Sequence, residues 1–113
     1  MIIIISVIKS LSIIVPALNE EESIPNLLKD IRQVFKKIDC VYEVIIVDDN
    51  STNKLSDFVP EMENLTILRN NIRKGQFAST IKGIDSSKYD HVCLLDGDGQ
   101  DPPHEILTLL ELY

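Results

Sequence analysis

The segment YEVIIVDDNST, residues 42–52, decides the fold of this chain of 113 residues. Its centre, VIIV at 44–47, is an uninterrupted apolar run, whereas a strand with one face in water alternates apolar and polar residues. Such a run is typical of a strand that is covered on both faces, as in a parallel sheet with crossover helices. Asp48 and Asp49 follow directly, so two acids stand where the strand leaves the core.

Three other apolar runs alternate with helical patterns along the chain. The four predicted strands cover residues 11–15, 42–47, 65–68 and 91–95. With a helix after each strand, the predicted order is βαβαβαβα. This order favours an α/β fold with a doubly wound, mainly parallel sheet and helices on both faces. In such folds ligands bind at the carboxyl ends of the strands.

The first helix is predicted from apolar residues at helical spacing between 24 and 38. Asn19 or Ser23 is its predicted cap, because short polar side chains can accept hydrogen bonds from the first turn. Three glutamates at 20–22 would lie at the positive end of the helix. Pro25 fits an opening turn and would not fit a helix interior.

Three further helices are predicted after the later strands. A short one covers 53–59, another follows Gly75, and a last one starts after Asp101 with two prolines in its first turn. The inner face of the helix after Gly75 is predicted to hold Ala78, Ile81 and Ile84.

Composition limits the size and the class of the protein. A chain of 113 residues that is 44% hydrophobic can bury the core of one small domain, which we assign to residues 11–113. The net charge of -7 argues against nucleic acid or an anionic membrane as the main partner. Cys40 and Cys93 lie far apart beside apolar segments, which indicates buried thiols in a reducing, cytoplasmic compartment.

The opening MIIIISVI, residues 1–8, resembles a short membrane segment only in composition. Its apolar run is too short to span a bilayer, Lys9 interrupts it, and no small-residue cleavage site follows. We therefore interpret residues 1–10 as a ragged start or an extra edge strand, and a weak membrane contact through them stays open.

The stretch HVCLLDGDGQDPP, residues 91–103, runs from an apolar strand into Asp96 and Asp98. Carboxylates at this spacing can share one divalent cation whose other positions go to water and phosphates. A lone pair of this kind is more often explained by turn chemistry, since Asp and Gly suit a tight bend. A calcium loop is excluded, because it needs Gly at its sixth position and Glu at its twelfth, where this chain has Asp101 and Leu107.

Polar residues follow all four predicted strands, and several of them are acids. For any one loop, strand ends and helix caps explain this composition. Acids that converge on one rim of a sheet repel one another unless a cation or hydrogen-bond donors offset them, so the set favours a functional site. The four loops are VPALNEE at 15–21, VDDNST at 47–52, RNNIRKG at 69–75 and DGDGQD at 96–101.

Four ordered motifs resemble a known family. They are SIIVPALNEEESIPNLL at 12–28, YEVIIVDDNST at 42–52, ILRNNIRKGQFASTIKGI at 67–84 and DHVCLLDGDGQDPP at 90–103. In order and spacing they resemble the amino-terminal half of family 2 glycosyltransferases with the GT-A fold, which is nucleotide-diphospho-sugar transferase-like. The likeness is greatest to the polyprenyl-phosphate branch, similar to dolichol-phosphate mannosyltransferase and its bacterial undecaprenyl-phosphate relatives.

This resemblance implies a site for a UDP- or GDP-sugar. Pro16, Leu18 and Glu20 would line the nucleoside pocket, and a carboxylate there can accept hydrogen bonds from a base or ribose. The base would be held by Val47 and Asp49, with Asp48 alongside. A cap of the following helix is the alternative role of Asp48.

The resemblance also implies a metal site for Mg²⁺ or Mn²⁺. Asp96, Gly97 and Asp98 would form the family's DxD motif, with Gly97 allowing close backbone approach. Gln100 matches a position that can join the metal shell, although a polar residue leading into a helix explains it as well. The metal bound through Asp98 would act as a Lewis acid on the leaving diphosphate.

Four other polar residues have less defined expectations. Arg73 and Lys74 could help neutralise the diphosphate, but exposed bases before a helix are more often solvated. His91 and His104 have no neighbouring residue in the sequence that suggests a metal or base role, and no function is assigned to them.

The implied activity is transfer of a sugar to a polyprenyl phosphate, whose phosphate is itself the nucleophile. The family's acceptor half has no counterpart in these 113 residues, so an inactive donor-binding fragment is the alternative. Regions outside this sequence could bring the protein to the cytoplasmic face of a membrane.

Two other protein classes resemble parts of the chain. A signalling receiver domain needs a later strand with a Lys, and none occurs in the 17 residues after Asp96. A dinucleotide-binding Rossmann domain needs a glycine-rich loop after the first strand, where this chain has no glycine.

Overall fold

The computed structural model of the chain describes residues 8–98, and every element named below lies in that range. Four strands pair in parallel in the order β3-β2-β1-β4, and helices lie between them along the chain. The predicted doubly wound α/β fold is therefore confirmed. The elements are β1 (Ser10–Ala17), α1 (Ile24–Phe35), β2 (Val41–Asp48), a 3-10 turn (Leu55–Asp57), β3 (Leu65–Arg69), α2 (Gln76–Asp85) and β4 (Val92–Leu94).

The two central strands are buried on both faces, as the VIIV run predicts. On one face α1 packs its apolar side against alternate residues of β1 and β2, including Ile13 and Ile46, which are both fully buried. On the other face Ile14, Ile45 and Val47 form a smaller cluster under α2. Burial of this continuous apolar surface removes it from water on both sides, and that burial is the main source of the stability of the sheet.

Helix α2 approaches the sheet closely at Gly83. A Cβ atom at this position would lie 2.5 Å from Ile14 Cγ2 and 3.3 Å from Val47 Cγ2. The fully buried members of the inner face of α2 are therefore the small residues Ser79 and Gly83. Ile84 packs beside them against Ile14, Ile45 and Val47, as predicted. The prediction that Ile81 lies on this face is wrong, because its side chain is 42% exposed. Ala78 and Ile84 are half-buried.

The helix predicted over 53–59 is also wrong in length, since only the 3-10 turn Leu55–Asp57 forms. Thr52 and Asn53 are weak helix formers, and Pro60 cannot continue a helix. One turn is enough to bury Leu55 completely against the α1 face of the sheet.

Strand and helix ends differ from the sequence prediction in smaller ways. β4 is shorter than the predicted 91–95, and it pairs with β1 over three positions. β1 begins at Ser10, one residue before the predicted start of this strand at residue 11. Residues 1–7 and the helix predicted after Asp101 lie outside the described residues.

The start of α1 is not capped as predicted. Ser23 occupies the N-cap position, but its side chain makes no capping hydrogen bond, and the acids at 20–22 precede the first helical turn, which contains none. The hydroxyl of Ser23 has another partner, described below.

Candidate functional site

A pocket of about 310 Å³ lies at the carboxyl ends of β1, β2 and β4, next to the start of α2. This is the edge where a doubly wound sheet places its ligands. Its wall combines carboxylates with one arginine and two small apolar residues. The lining residues are Pro16, Ala17, Leu18, Glu20, Asp49, Arg73, Gly75, Gln76, Ser79, Asp96, Gly97 and Asp98.

Most of the residues that the sequence assigned to a site meet in this pocket. Val47 and Asp48 do not line it, since both are at most 1% exposed within the sheet and the turn after β2. Gln100 and His104 lie outside the described residues. His91 is exposed just before β4 and does not line the pocket.

Asp48 holds the turn that follows β2. Its Oδ1 accepts a hydrogen bond from the Ser51 amide at 2.9 Å, and its Oδ2 accepts one from the Leu55 amide at 3.2 Å. The Arg69 guanidinium forms a salt bridge with Oδ2 at 2.7 Å. Burial alone would raise the pKa of Asp48, but these donors outweigh it and hold the pKa below its ordinary value. In this geometry the Asp48 carboxylate is used by hydrogen bonds and an ion pair within the protein.

Asp49 is buried and anchors the segment before α2. Its Oδ1 accepts from the Lys74 amide at 2.7 Å and from Asn70 Nδ2 at 2.9 Å, and its Oδ2 accepts from the Gly75 amide at 2.9 Å. Burial again opposes ionisation, yet the three donors and the charge of Arg73 lower the pKa of Asp49. The positive end of α2 therefore faces a carboxylate of the protein itself.

The loops after β1 and β2 are joined by a reciprocal exchange of hydrogen bonds. The Asn19 amide donates to Ser51 Oγ at 2.9 Å, and the Thr52 amide donates to Asn19 Oδ1 at 2.9 Å. Asn19 and Asn50 have positive φ angles of 54° and 61°. Asparagine tolerates this left-handed backbone better than most residues do, which explains its place at both loop tips.

Gly97 packs against Glu20 at the centre of the acidic wall. A Cβ atom at position 97 would collide with Glu20 Oε2 and would lie 3.2 Å from Ala17 Cβ. The Ser23 hydroxyl donates to the Gly97 carbonyl, which ties the turn between Asp96 and Asp98 to the start of α1. Glycine at 97 is thus required by close approach of a protein side chain.

Glu20 is an acid of this wall whose ionisation is disfavoured. Burial, then the charge of Asp98 and to a smaller extent that of Asp96, raises the pKa of Glu20, while a hydrogen bond from the Leu18 backbone opposes the rise. Its Oε2 atom is buried and has no hydrogen-bond partner among residues 8–98. Asp96 Oδ1 accepts from Gln76 Nε2 at 3.2 Å.

This donor set fits a divalent cation that a substrate completes. An orphaned carboxylate oxygen beside two exposed aspartates offers the hard oxygen ligands that Mg²⁺ and Mn²⁺ prefer. Among residues 8–98 no three His, Cys, Asp or Glu side chains come close enough to enclose a metal by themselves. A cation here would therefore keep positions for water and for phosphate oxygens.

Three polar residues of the site were not identified from the sequence. Gln76 and Ser79 lie one turn apart on α2 and both line the pocket, and Asn70 bridges Asp49 to Ser79 from behind. A polar residue in the first turn of a helix that follows a strand end is a usable signal, and Gln76 has it. Asn70 and Ser79 have no such signal, because their contacts depend on how closely α2 approaches the sheet.

The chain matches the model of the glycosyl transferase family 2 over residues 12–113. It belongs to this family. The resemblance of the four motifs is thereby confirmed, and the receiver and Rossmann alternatives are excluded.

Relatives of this family 2 chain include bacterial enzymes of the polyprenyl-phosphate branch. The undecaprenyl-phosphate 4-deoxy-4-formamido-L-arabinose transferase of Pseudomonas fluorescens (strain SBW25) is 38% identical over 109 residues, which cover 92% of this chain and 32% of that protein. The enzyme of the same name from Pectobacterium atrosepticum is 34% identical over 110 residues, covering 92% of this chain and 33% of that protein. The chain thus spans about a third of the length of these relatives.

Solved structures of GT-A glycosyltransferases share the fold. Staphylococcus aureus TarS 1-349, in complex with UDP-GlcNAc, superposes with a TM-score of 0.65 at 26% identity, over 79% of this chain and 26% of that chain. The mannosyltransferase PcManGT of Pyrobaculum calidifontis, in complex with GDP-Man and Mn²⁺, superposes with a TM-score of 0.65 at 23% identity, over 86% of this chain and 30% of that chain. The GT-A fold of this family 2 member is confirmed. Within residues 8–98 we find no helix with the length and apolar character needed to cross a bilayer.

Proposed function

We propose that this chain is the donor-binding part of a glycosyltransferase that holds a nucleotide-diphospho-sugar through a divalent cation. The observation that carries the proposal is the convergence of Glu20, Asp96 and Asp98 on one pocket, with a buried carboxylate oxygen left without a partner. Three like charges at one wall repel an anionic ligand unless a cation lies between them. A cation that binds together with a diphosphate would offset the repulsion and give the buried carboxylate oxygen a partner.

Asp96 and Asp98 would hold Mg²⁺ or Mn²⁺, with Gln100 as a further ligand. When bound, the ion supplies Lewis-acid stabilisation of the leaving diphosphate. Arg73 lines the same pocket from the segment before α2, and its guanidinium adds a second positive charge for the phosphates. The Ser23 and Glu20 contacts keep the turn at Gly97 in place while the ligand binds.

The nucleoside would lie toward β1 and β2, where Pro16, Leu18 and Asp49 line the pocket. A volume of about 310 Å³ is at the small end of ligand sites. The pocket therefore accommodates part of a UDP- or GDP-sugar, and the rest of the donor extends beyond the described residues. The relative that binds UDP-GlcNAc, TarS, supports a uridine nucleotide as the first ligand to test.

The proposed acceptor of the whole enzyme is a polyprenyl phosphate at the cytoplasmic face of a membrane. Two relatives that are 34% and 38% identical are named as undecaprenyl-phosphate transferases, which supports this acceptor class. A phosphate nucleophile needs no protein base. Since the chain spans about a third of these relatives, a donor-binding unit without activity of its own is the alternative.

Titration calorimetry of the chain with UDP and with GDP, each in Mn²⁺ and in EDTA, tests the proposal. Binding is expected in Mn²⁺ and is expected to weaken at least about tenfold in EDTA, since the diphosphate then meets uncompensated acids. Asp57→Ala is the charge-matched control for Asp98→Ala, because Asp57 is an exposed acid of the 3-10 turn. Equal affinity with and without the ion would contradict the proposed metal bridge.

A further inference from the structure

A buried polar pair lies in the sheet at the end opposite the pocket. Ser12 of β1 and Glu43 of β2 are register partners, and they are 0% and 5% exposed. Ser12 Oγ donates to Glu43 Oε2 at 2.6 Å. Both side chains lie on the α2 face, two residues before Ile14 and Ile45 on their strands. Burying a carboxylate in an apolar sheet is unfavourable unless donors compensate it.

The donors come from the connection between α2 and β4. The Lys88 amide donates to Glu43 Oε2 at 2.6 Å, and the Tyr89 amide donates to Ser12 Oγ at 3.3 Å. The Ser12 amide in turn donates to the His91 carbonyl at 2.9 Å. The two side chains thus hold Lys88 and Tyr89, and the Ser12 backbone holds His91. Among residues 8–98 the ion pairs are Lys9–Asp39 and Arg69–Asp48, so Glu43 depends on these hydrogen bonds.

Apart from Cys93 and Leu95, which pack against the core under α1, little else sets the register of β4. It pairs with β1 over only three positions, whereas β2 pairs with β1 over eight. Its α2-face side chains, Val92 and Leu94, are 41% and 53% exposed, so they bury little apolar surface. Burial of one face is what normally prevents a strand from slipping by a residue. Leu95, 7% exposed, supplies such burial at the far end of the strand.

We propose that Ser12 and Glu43 form a register clamp that positions the Asp96–Asp98 turn. Val92 lies opposite Ser12, and Asp96 is four residues further on, about 13 Å along an extended strand. A one-residue slip of β4 would turn Leu95 out of the core and move both acids away from Glu20. The clamp residues are positioning residues that act through the strand, and their effect on ligand binding rests on the function proposed above.

Amide hydrogen exchange of the 113-residue chain tests the clamp without any ligand. Glu43→Leu removes the acceptor and keeps the side-chain size, whereas Glu43→Gln retains an oxygen that can accept from both donors. In Glu43→Leu we expect the Leu95 amide, which donates to the Ile14 carbonyl at 3.0 Å, to exchange at least about tenfold faster than in the parent. Glu43→Gln should restore most of the protection. Faster exchange at 88–89 alone, with Leu95 unchanged, would overturn the clamp.

Binding of Mn²⁺ with UDP, measured at a temperature where circular dichroism shows each variant folded, separates positioning from stability. Glu43→Leu should weaken binding at least about tenfold, whereas Ile45→Val, on the same strand and face, loses a buried methylene group and should not. Faster exchange at Leu95 with unchanged affinity would overturn the positioning role. If the parent itself does not bind, the proposed function fails and the exchange result still decides the clamp. Ser12→Ala is the milder second variant if Glu43→Leu does not fold.

Discussion

Two pairs of aspartates stand at the same edge of the sheet and differ in what holds them. Asp48 and Asp49, at the end of β2, are buried and accept six hydrogen bonds from the protein's own groups. Asp96 and Asp98, after β4, are exposed at the pocket beside an acid whose pKa is raised. The first pair is stabilised as carboxylates by the fold, whereas the second would be stabilised by an added cation.

The difference shows that an acidic motif at a strand end has no single meaning. Burial disfavours a carboxylate, and the fold offsets this cost for Asp48 and Asp49 with hydrogen-bond donors, whereas Asp96 and Asp98 stay exposed at the pocket. After β4 the wall keeps repulsion that a divalent ligand can relieve. Acids that stabilise the fold and acids proposed to bind a ligand therefore stand at the same edge of the sheet. Substitutions in each pair test the two roles separately.

Asp48→Ala should produce the largest loss of stability. It removes three accepted hydrogen bonds and leaves the half-buried Arg69 with Asn50 and Ser51 but no carboxylate, which should cost about 3 kcal/mol. Asp98→Ala should leave the free energy of unfolding nearly unchanged and weaken Mn²⁺-dependent nucleotide binding at least about tenfold. Urea unfolding and calorimetry on both variants measure the two effects. Loss of stability in Asp98→Ala and not in Asp48→Ala would reverse the comparison.

Gly97→Ala should affect both properties, because the new methyl group collides with Glu20 and crowds Ala17. Because the colliding Glu20 oxygen ends a flexible side chain, the cost in stability should be about 1 kcal/mol, with the turn between the two acids displaced as Glu20 gives way. Gly83→Ala is the matched control, since its methyl group crowds Ile14 far from the acids. Unfolding curves should show destabilisation in both, and only Gly97→Ala should lose metal-dependent binding. Retained binding in Gly97→Ala would show that the turn tolerates displacement.

The two sets of acids predict opposite slopes of stability with pH. The pKa of Asp48 and of Asp49 is lower folded than unfolded, so their stabilisation is complete above about pH 4 and is lost as the pH falls through the folded pKa. The pKa of Glu20 is raised, so stability falls as the pH rises through its folded pKa, by less than about 1 kcal/mol because the group is partly solvated.

Thermal melting between acid and neutral pH should therefore show a maximum in between. Glu20→Gln should flatten the decline on the neutral side and leave the acid side unchanged. A decline that persists in Glu20→Gln would assign it to another group.

Gln76→Ala should have the smallest effect. Its amide donates to Asp96 Oδ1 across an exposed gap of 3.2 Å, so its loss should weaken Mn²⁺-dependent binding by about threefold and leave stability unchanged. Ser86→Ala serves as a control, since its hydroxyl bonds only the preceding helical turn, at the Lys82 carbonyl. Calorimetry that gives both variants the parent affinity would remove Gln76 from the site.

The sheet could be predicted from the sequence because its signals are local. The VIIV run and the spacing of apolar residues in α1 depend only on which faces are buried, and both predictions are confirmed. The inner face of α2 could not be predicted in the same way. Ile81 satisfies helical spacing but is exposed, because α2 makes its close contact with Ile14 and Val47 at Gly83, where a larger side chain would not fit.

The residues of the candidate site also differ in whether the local sequence predicts their place. Residues that follow strands, such as Glu20 and Asp98, were predictable from position and charge, and they line the pocket. Asp48 shows the limit of that approach, since it does not line the pocket and one of its three donors, Arg69, lies 21 residues away. Such contacts depend on tertiary packing, and no local pattern encodes them. Assignment of site roles stays a prediction for the binding experiments.

The exchange of hydrogen bonds through Asn19 has a consequence for motion. Because Asn19 bonds both Ser51 and Thr52, the loop that carries Leu18 and Glu20 cannot shift without the loop after β2. We therefore expect the two loops to move together. The turn at Gly97 is joined to the start of α1 through the hydroxyl of Ser23. Entry of a nucleotide would then displace a single body on one side of the pocket, with one relaxation time for residues 18–20 and 50–52.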